Sequence, residues 1–246
     1  MNDDRVVRIW SQVAVLSGAE PMTVAHVCAA AVAGTSVDGA GVTLMVGPTV
    51  RDTLHITDEL AGELEEWQLS FGQGPCVDAF GTGGPVLAGD LEAPENSARW
   101  PAFTAAALGS GARAVFALPL QIGSIRLGVL DLYRVKAGPL SAHDLADALA
   151  FADTAAMLLL DDAAGVSPET AALAWQHDDP TAHHAEVHQA TGMMLVQLQT
   201  SAESAFARLR GYAYARDRRI GDIARDVVAR RLRFGPDPPT GYRDEH

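Results

Sequence analysis

Two segments, ARAVFALPLQ (residues 112–121) and RLGVLDLYRV (126–135), are short, rich in β-branched and aliphatic residues, and separated by a turn at Gly123. They predict neighbouring strands, and other strands stand nearby. GVTLMVG (41–47) is fenced by glycines, TLHIT (53–57) alternates in the manner of a hairpin partner, and Pro85–Ala88 reads as a further short strand. Helical spacing surrounds them. Val6, Ile9, Trp10, Val13 and Leu16 share one face of a helix over about 4–16, and a second helix runs from Thr23 to about Ala33. Further helices are expected over 58–69 and 97–108. A long helix from Leu145 to about Leu160 is opened by the capping pattern Ser141-Ala-His-Asp144. Short strands enclosed by helices at both ends give an α+β domain, an antiparallel sheet with helices gathered on one face.

The pattern changes after Asp161. DDAAGVSPETAALAWQHDDPT has two prolines, many acids and weak periodicity, which predicts a linker. Beyond it only helical spacing remains. Val187, Ala190, Met194 and Leu198 mark one helix. Thr200 or Ser201 caps a second, with face Ala205, Leu209, Tyr212 and Ala213. Ile220, Ile223, Val227, Val228 and Leu232 mark a third. The expected organisation is an α+β domain over 1–162, a linker over 163–182, an all-α three-helix domain over 183–234 and a flexible tail over 235–246.

Charge follows the same division. The 246-residue chain carries 18 Lys+Arg against 31 Asp+Glu, a net charge of −13. Residues 1–186 hold 8 Lys+Arg and 24 Asp+Glu, whereas residues 187–233 hold 9 Arg and 4 acids. An acidic body joined to a basic module excludes a chain that coats nucleic acid along its whole surface, and points to a localised anionic partner. No apolar run approaches the roughly 18 residues of a membrane helix. The start, MNDDRVVRIW, has acids where a secretory signal carries lysines. Two cysteines, Cys28 and Cys76, suit a reducing compartment. A cytoplasmic protein without a membrane partner is expected.

In the C-terminal part, Gln189-Ala190-Thr191-Gly192-Met193, Ser201-Ala202-Glu203-Ser204-Ala205-Phe206, Leu209-Arg210-Gly211-Tyr212-Ala213 and Asp222-Ile223-Ala224-Arg225-Asp226-Val227-Val228 together resemble the ANTAR domain. That family is a three-helix RNA-binding module of bacterial transcription antiterminators. Upstream, Gly72–Phe80 (GQGPCVDAF), Asp90–Phe103 (DL…RWPAF), Ala117–Leu120 (ALPL) and Gly128–Tyr133 (GVLDLY) resemble a GAF domain, a sensor of small molecules or redox signals. The pair of resemblances implies a GAF sensor followed by an ANTAR output. It further implies a homodimer that presents two ANTAR domains to paired hairpin loops of leader transcripts.

RNA asks for positive charge on phosphates and for stacking or shape contacts to loop bases. Arg208, Arg210, Arg216, Arg218 and Arg219 cluster between the second and third helices, and Tyr214 falls off the apolar face, where it would stack a base. Gln189, Thr191 and Gly192 complete the candidate RNA-binding set. Thr191 stands where many family members have a lysine, so one charge is missing here. Arg230, Arg231 and Arg233 complement the negative end of the last helix. In the GAF-like part, Phe71, Cys76, Asp78, Phe80, Trp100, Phe103 and Arg113 are candidate lining residues of a pocket for an unidentified small molecule.

Two further readings compete with this one. A GAF–ANTAR regulator acting through protein partners fits the missing charge at Thr191. A GAF-type redox enzyme would use Cys76, which begins a helix where the dipole lowers a thiol pKa. The enzyme reading is opposed by the absence of further cysteines in the neighbouring loop, and no catalytic residue is assigned. His177, His183, His184 and His188 lack the spacing of a zinc protease, since Glu186 does not follow the first histidine of the pair His184/His188 directly. No metal site is expected there.

Overall fold

The computed structural model describes residues 3–46, 50–164, 185–216 and 218–235. The chain divides into two compact units, Met1–His183 and His184–His246. The expected linker lies almost wholly outside the described residues, as does the tail beyond residue 235.

The first unit is built on one five-stranded sheet. Its strands are β1 (Gly39–Val46), β2 (Val50–Ile56), β3 (Val86–Ala88), β4 (Ala114–Ile122) and β5 (Ile125–Arg134), in the order β2-β1-β5-β4-β3 and antiparallel throughout. The expected hairpin turns at Gly123, which takes φ 59. Its helices are α1 (Asp3–Ser17), α2 (Val24–Gly34), α3 (Glu59–Phe71), α4 (Pro75–Thr82), α5 (Pro94–Arg99), α6 (Pro101–Gly109) and α7 (Ala142–Ala164). The helix expected over 97–108 is divided at Trp100, because Pro101 has no N–H to donate and pushes the residue before it out of helical geometry.

Helices cover both faces of the sheet, in place of the single face expected. Residues 114–120 are buried at every position, so both parities of β4 need a cover. Phe116, Leu118 and Leu120 point with Leu130 and Leu132 into a core shared with α1, α2 and α7. Val115, Ala117, Val129 and Tyr133 point the opposite way, into a second core with Leu64 of α3, Cys76 and Ala79 of α4, and Trp100 and Phe103. Asp147 of α7, 1% exposed, anchors α1 by accepting from Arg5 Nε at 2.8 Å and Arg8 at 2.6 Å.

The second unit contains α8 (Ala185–Leu198), α9 (Ala202–Ala215) and α10 (Ile220–Val228). Its core is Val187, Ala190 and Met194 from α8, Ala205, Phe206, Leu209 and Ala213 from α9, and Ile220, Ile223, Ala224 and Val227 from α10. Of the two capping candidates Ser201 is used, its side-chain oxygen accepting from the Ser204 N–H. No helix among the described residues is long and apolar enough to cross a membrane.

Candidate functional site

In the helical unit, α8 and the residues after α10 enclose a shallow depression of about 660 Å³. Gln189, Gly192, Met193, Val196 and Gln197 line one side, and Arg230 and Arg233 the other. Two of its residues are unfavourable in their local setting. Gly192 lies inside α8, exposed, and a Cβ placed on it would touch nothing within 4 Å. Close packing therefore does not account for this glycine, which weakens an exposed helix by about 1 kcal/mol relative to alanine. Arg230, just after α10, takes φ 59, the left-handed conformation that favours glycine. Its side chain nonetheless borders the depression. Arg230 and Arg233 join Gln189 and Gly192 here, although sequence reasoning assigned both arginines to the helix end. The turn that swings Arg230 round is a backbone property with no clear sequence signal; the exposed glycine in a helix was visible.

The remaining candidate RNA-binding residues are outside this depression. Tyr214 is exposed on α9, at 62%. The Arg216 guanidinium lies over the Tyr212 ring, 4.5 Å from its centroid, while Tyr212 meets Phe234 edge to face. Arg210 stands over Phe206 at 5.7 Å. Arg218 pairs with Asp226 at 2.8 Å, and Arg231 pairs with the same carboxylate. Asp226 thereby joins the turn before α10 to the turn after it, and its carboxyl is held below the usual range by Arg218 first and Arg231 second. Arg208 and Arg219 are half-buried. The Thr191 hydroxyl donates to the Val187 carbonyl at 2.7 Å, so its proton is already used within the helix.

In the sheet unit, the candidate pocket residues mostly knit the helical layer together. Trp100, Phe103 and Cys76 are buried, with Phe71 and Phe80 packed against the same core. Phe71 also stacks on Trp67 at 5.4 Å. One carboxylate oxygen of Asp78 accepts from Arg99 Nε at 2.7 Å and from Trp100 Nε1 at 2.9 Å, joining α4 to the α5–α6 corner. Arg113 donates to the carbonyls of Leu108 and Ala112.

A polar cluster that sequence reasoning missed lies between the sheet and α3. Glu65 and Gln68 project from α3, Thr43 from β1, Thr53 and Arg51 from β2, Asp131 from β5, and Cys76 from the start of α4, all buried. Thr43 Oγ1 donates to Glu65 Oε2 at 2.8 Å and lies 3.1 Å from Thr53 Oγ1. Gln68 Oε1 accepts the Cys76 N–H at 2.7 Å, and its Nε2 reaches Asp131 Oδ2 at 3.5 Å. This close approach needs Gly74, since a Cβ there would come within 2.7 Å of Gln68 Oε1 and φ is +138. Burial raises the Asp131 carboxyl well above its usual range, reinforced by Glu65. The redox-enzyme reading would need a lowered Cys76 thiol, and the surroundings act in the opposite direction. Burial pushes it well above its ordinary value, with Asp131 and Glu65 adding to the rise.

Residues 181–228 match the family described as the ANTAR domain. The first unit is similar to the GAF domain of a phosphoenolpyruvate-protein phosphotransferase from Coxiella burnetii, at 14% identity over 67% of this chain and 98% of that one, with a TM-score of 0.49. It is also similar to the GAF domain of a two-component sensor histidine kinase from Bacillus halodurans (14% identity, 65% and 95% covered, TM-score 0.37). A third likeness is to free methionine-R-sulfoxide reductase from Neisseria meningitidis (19% identity, 63% and 82% covered, TM-score 0.36). No curated protein matches the chain significantly.

Proposed function

We propose that the protein is an RNA-binding transcription antitermination regulator, in which the sheet unit is a GAF-type sensor and the helical unit contacts hairpin loops of a leader transcript. The observation that carries this reading is the ANTAR match over 181–228, and its charge supports it. The depression of α8 adds a place for the RNA backbone to approach. A bare Gly192 gives closeness, Gln189 offers an amide, and Arg230 and Arg233 supply charge for phosphates. Arg208, Arg210, Arg216, Arg218, Arg219 and Tyr214 form a second candidate contact region, with Tyr214 exposed for stacking.

Two copies would grip two linked hairpins with high effective concentration. Exposed Val7 and Val15 on α1 and exposed Met157 on α7 support a seam between copies, on the helices that flank the sheet. Light scattering of the full chain tests this, with Val15→Asp expected to shift the mass toward a monomer.

The test of the main reading is binding of the full chain to two-hairpin leader RNAs across a salt series. Gly192→Ala is expected to raise the thermal stability of the helical unit while weakening RNA binding about tenfold. Arg230→Gly is expected to relieve its backbone strain yet also weaken binding. Absence of hairpin-specific binding at every salt concentration would refute the reading and favour action through protein partners. The redox-enzyme reading needs a thiolate within reach of a substrate, and a fully buried Cys76 with a raised thiol opposes it.

A further inference from the structure

We propose that Glu65, Cys76 and Asp131 form a binding site for one thiophilic divalent metal ion, of the Zn²⁺ or Fe²⁺ class, inside the sheet unit. One carboxylate oxygen from each acid and Cys76 Sγ all lie within 4.8 Å of one another. Donors on one tetrahedral ion with bonds of roughly 2.0–2.3 Å stand about 3.3–3.8 Å apart, so the three must draw together by up to about 1 Å as the ion binds. A second observation points to a missing occupant. Asp131 is 6% exposed, and its Oδ1 accepts from no N–H or hydroxyl donor, the carboxyl interacting instead with Glu65 and the Cys76 thiol. Such a buried oxygen without an N–H or hydroxyl donor is costly, and an ion would satisfy it. A cavity of about 10 Å³, room for a single ion or water, adjoins two of the donors, Glu65 and Asp131, and does not extend to Cys76.

The surroundings suit an ion. Thr43 orients Glu65, Gln68 orients Asp131, and α3, α4 and β5 hold the three donors on regular elements. Arg51 brings one positive charge against three groups that can become anionic, so a dication improves the balance. A thiolate beside two carboxylates selects Zn²⁺, Fe²⁺ or Co²⁺ over Mg²⁺ and Ca²⁺. On binding, the Cys76 thiol and the Asp131 carboxyl each release a proton to solvent, and the sulfur and the carboxylate oxygen take the metal. Met45 Sδ, 3.8 Å from Cys76 Sγ, places a second soft atom beside the site. This inference is independent of RNA binding, and either can fail without the other.

The experiment is titration of the chelator-treated full chain with Co²⁺, read by absorption. One equivalent is expected to give a thiolate-to-cobalt charge-transfer band with intense tetrahedral visible bands, displaced by Zn²⁺ and untouched by Mg²⁺. Cys28→Ser should keep the band. Cys76→Ser should lose the charge transfer, and Glu65→Gln and Asp131→Asn should each weaken binding at least tenfold, with circular dichroism verifying their fold. Because wild type is read first, a variant that fails to fold leaves the outcome decidable. No thiolate band in the wild type, or cobalt bound without one and lost in His184→Ala, would overturn the site.

Discussion

Cys76 shows how a residue's setting reverses its intrinsic chemistry. A helix start favours a thiolate, whereas complete burial beside two carboxyl groups raises this thiol. Cys28, in the opposite core, is likewise pushed up to about 12, by burial first and Glu65 second. Neither thiol should react with a maleimide or disulfide reagent at pH 8 in the folded protein, and both should react after unfolding in guanidinium. Rapid labelling of native Cys76 would contradict the buried placement. Asp78 presents a similar contrast. It reads as a pocket residue, but its carboxylate satisfies the indole N–H of Trp100, itself 2% exposed. Asp78→Ala is expected to cost about 1–3 kcal/mol in urea unfolding, through an indole donor left without its partner. Residue type pointed to this region of the chain, whereas the direction of each side chain had to come from the fold.

At the scale of elements, pairing and capping make stronger demands than composition. Gly128 of β5 lies opposite Leu44 of β1, and a Cβ on it would stand 2.1 Å from the Thr43 carbonyl oxygen. Gly128→Ala should therefore force β1 and β5 apart and lower the melting temperature of the sheet unit by ten degrees or more, while the α8–α10 helices remain. The start of α7 is tied across to the loop before β1, where the Ser36 hydroxyl donates to Asp144 at 2.6 Å. That bond, more than Ser141 and Arg134, holds the Asp144 carboxyl below its ordinary 3.8. A lowered folded-state pKa means the stabilisation is present above the unfolded value and is lost as pH falls through the folded one. Asp144→Asn should thus flatten the loss of stability below about pH 4, as followed by acid titration of the near-ultraviolet circular dichroism. The elements themselves were largely legible. Thr23, Asp58 and Ser201 flank the helices they precede, and the glycines fence the strands. What sequence periodicity lacks is a rule for β4, whose uninterrupted burial means two covered faces.

At the scale of the whole molecule, the separation of charge is the feature with the clearest consequence. Residues 1–186 carry an excess of acids, which repels an anionic polymer, while residues 187–233 carry 9 Arg against 4 acids, the charge that the proposed RNA contact needs. Hairpin binding should fall with salt at a log–log slope that grows by about one per phosphate neutralised, and Arg233→Gln should reduce that slope. Homopolymeric RNA should bind weakly even at low salt. Filter binding at several salt concentrations reads both effects. The sequence alone determined the change from mixed to purely helical pattern, the charge asymmetry and the motifs of the terminal module, because these depend on local spacing and residue type. The tertiary structure decided which residues meet. Asp131 is far along the chain from Glu65 and Cys76, and strand pairing and helix packing bring the three together. Arg230 borders the same depression as Gln189 and Gly192, where the chain turns after α10. Such long-range convergence has no period and no fixed spacing, so no local reading of the chain contains it.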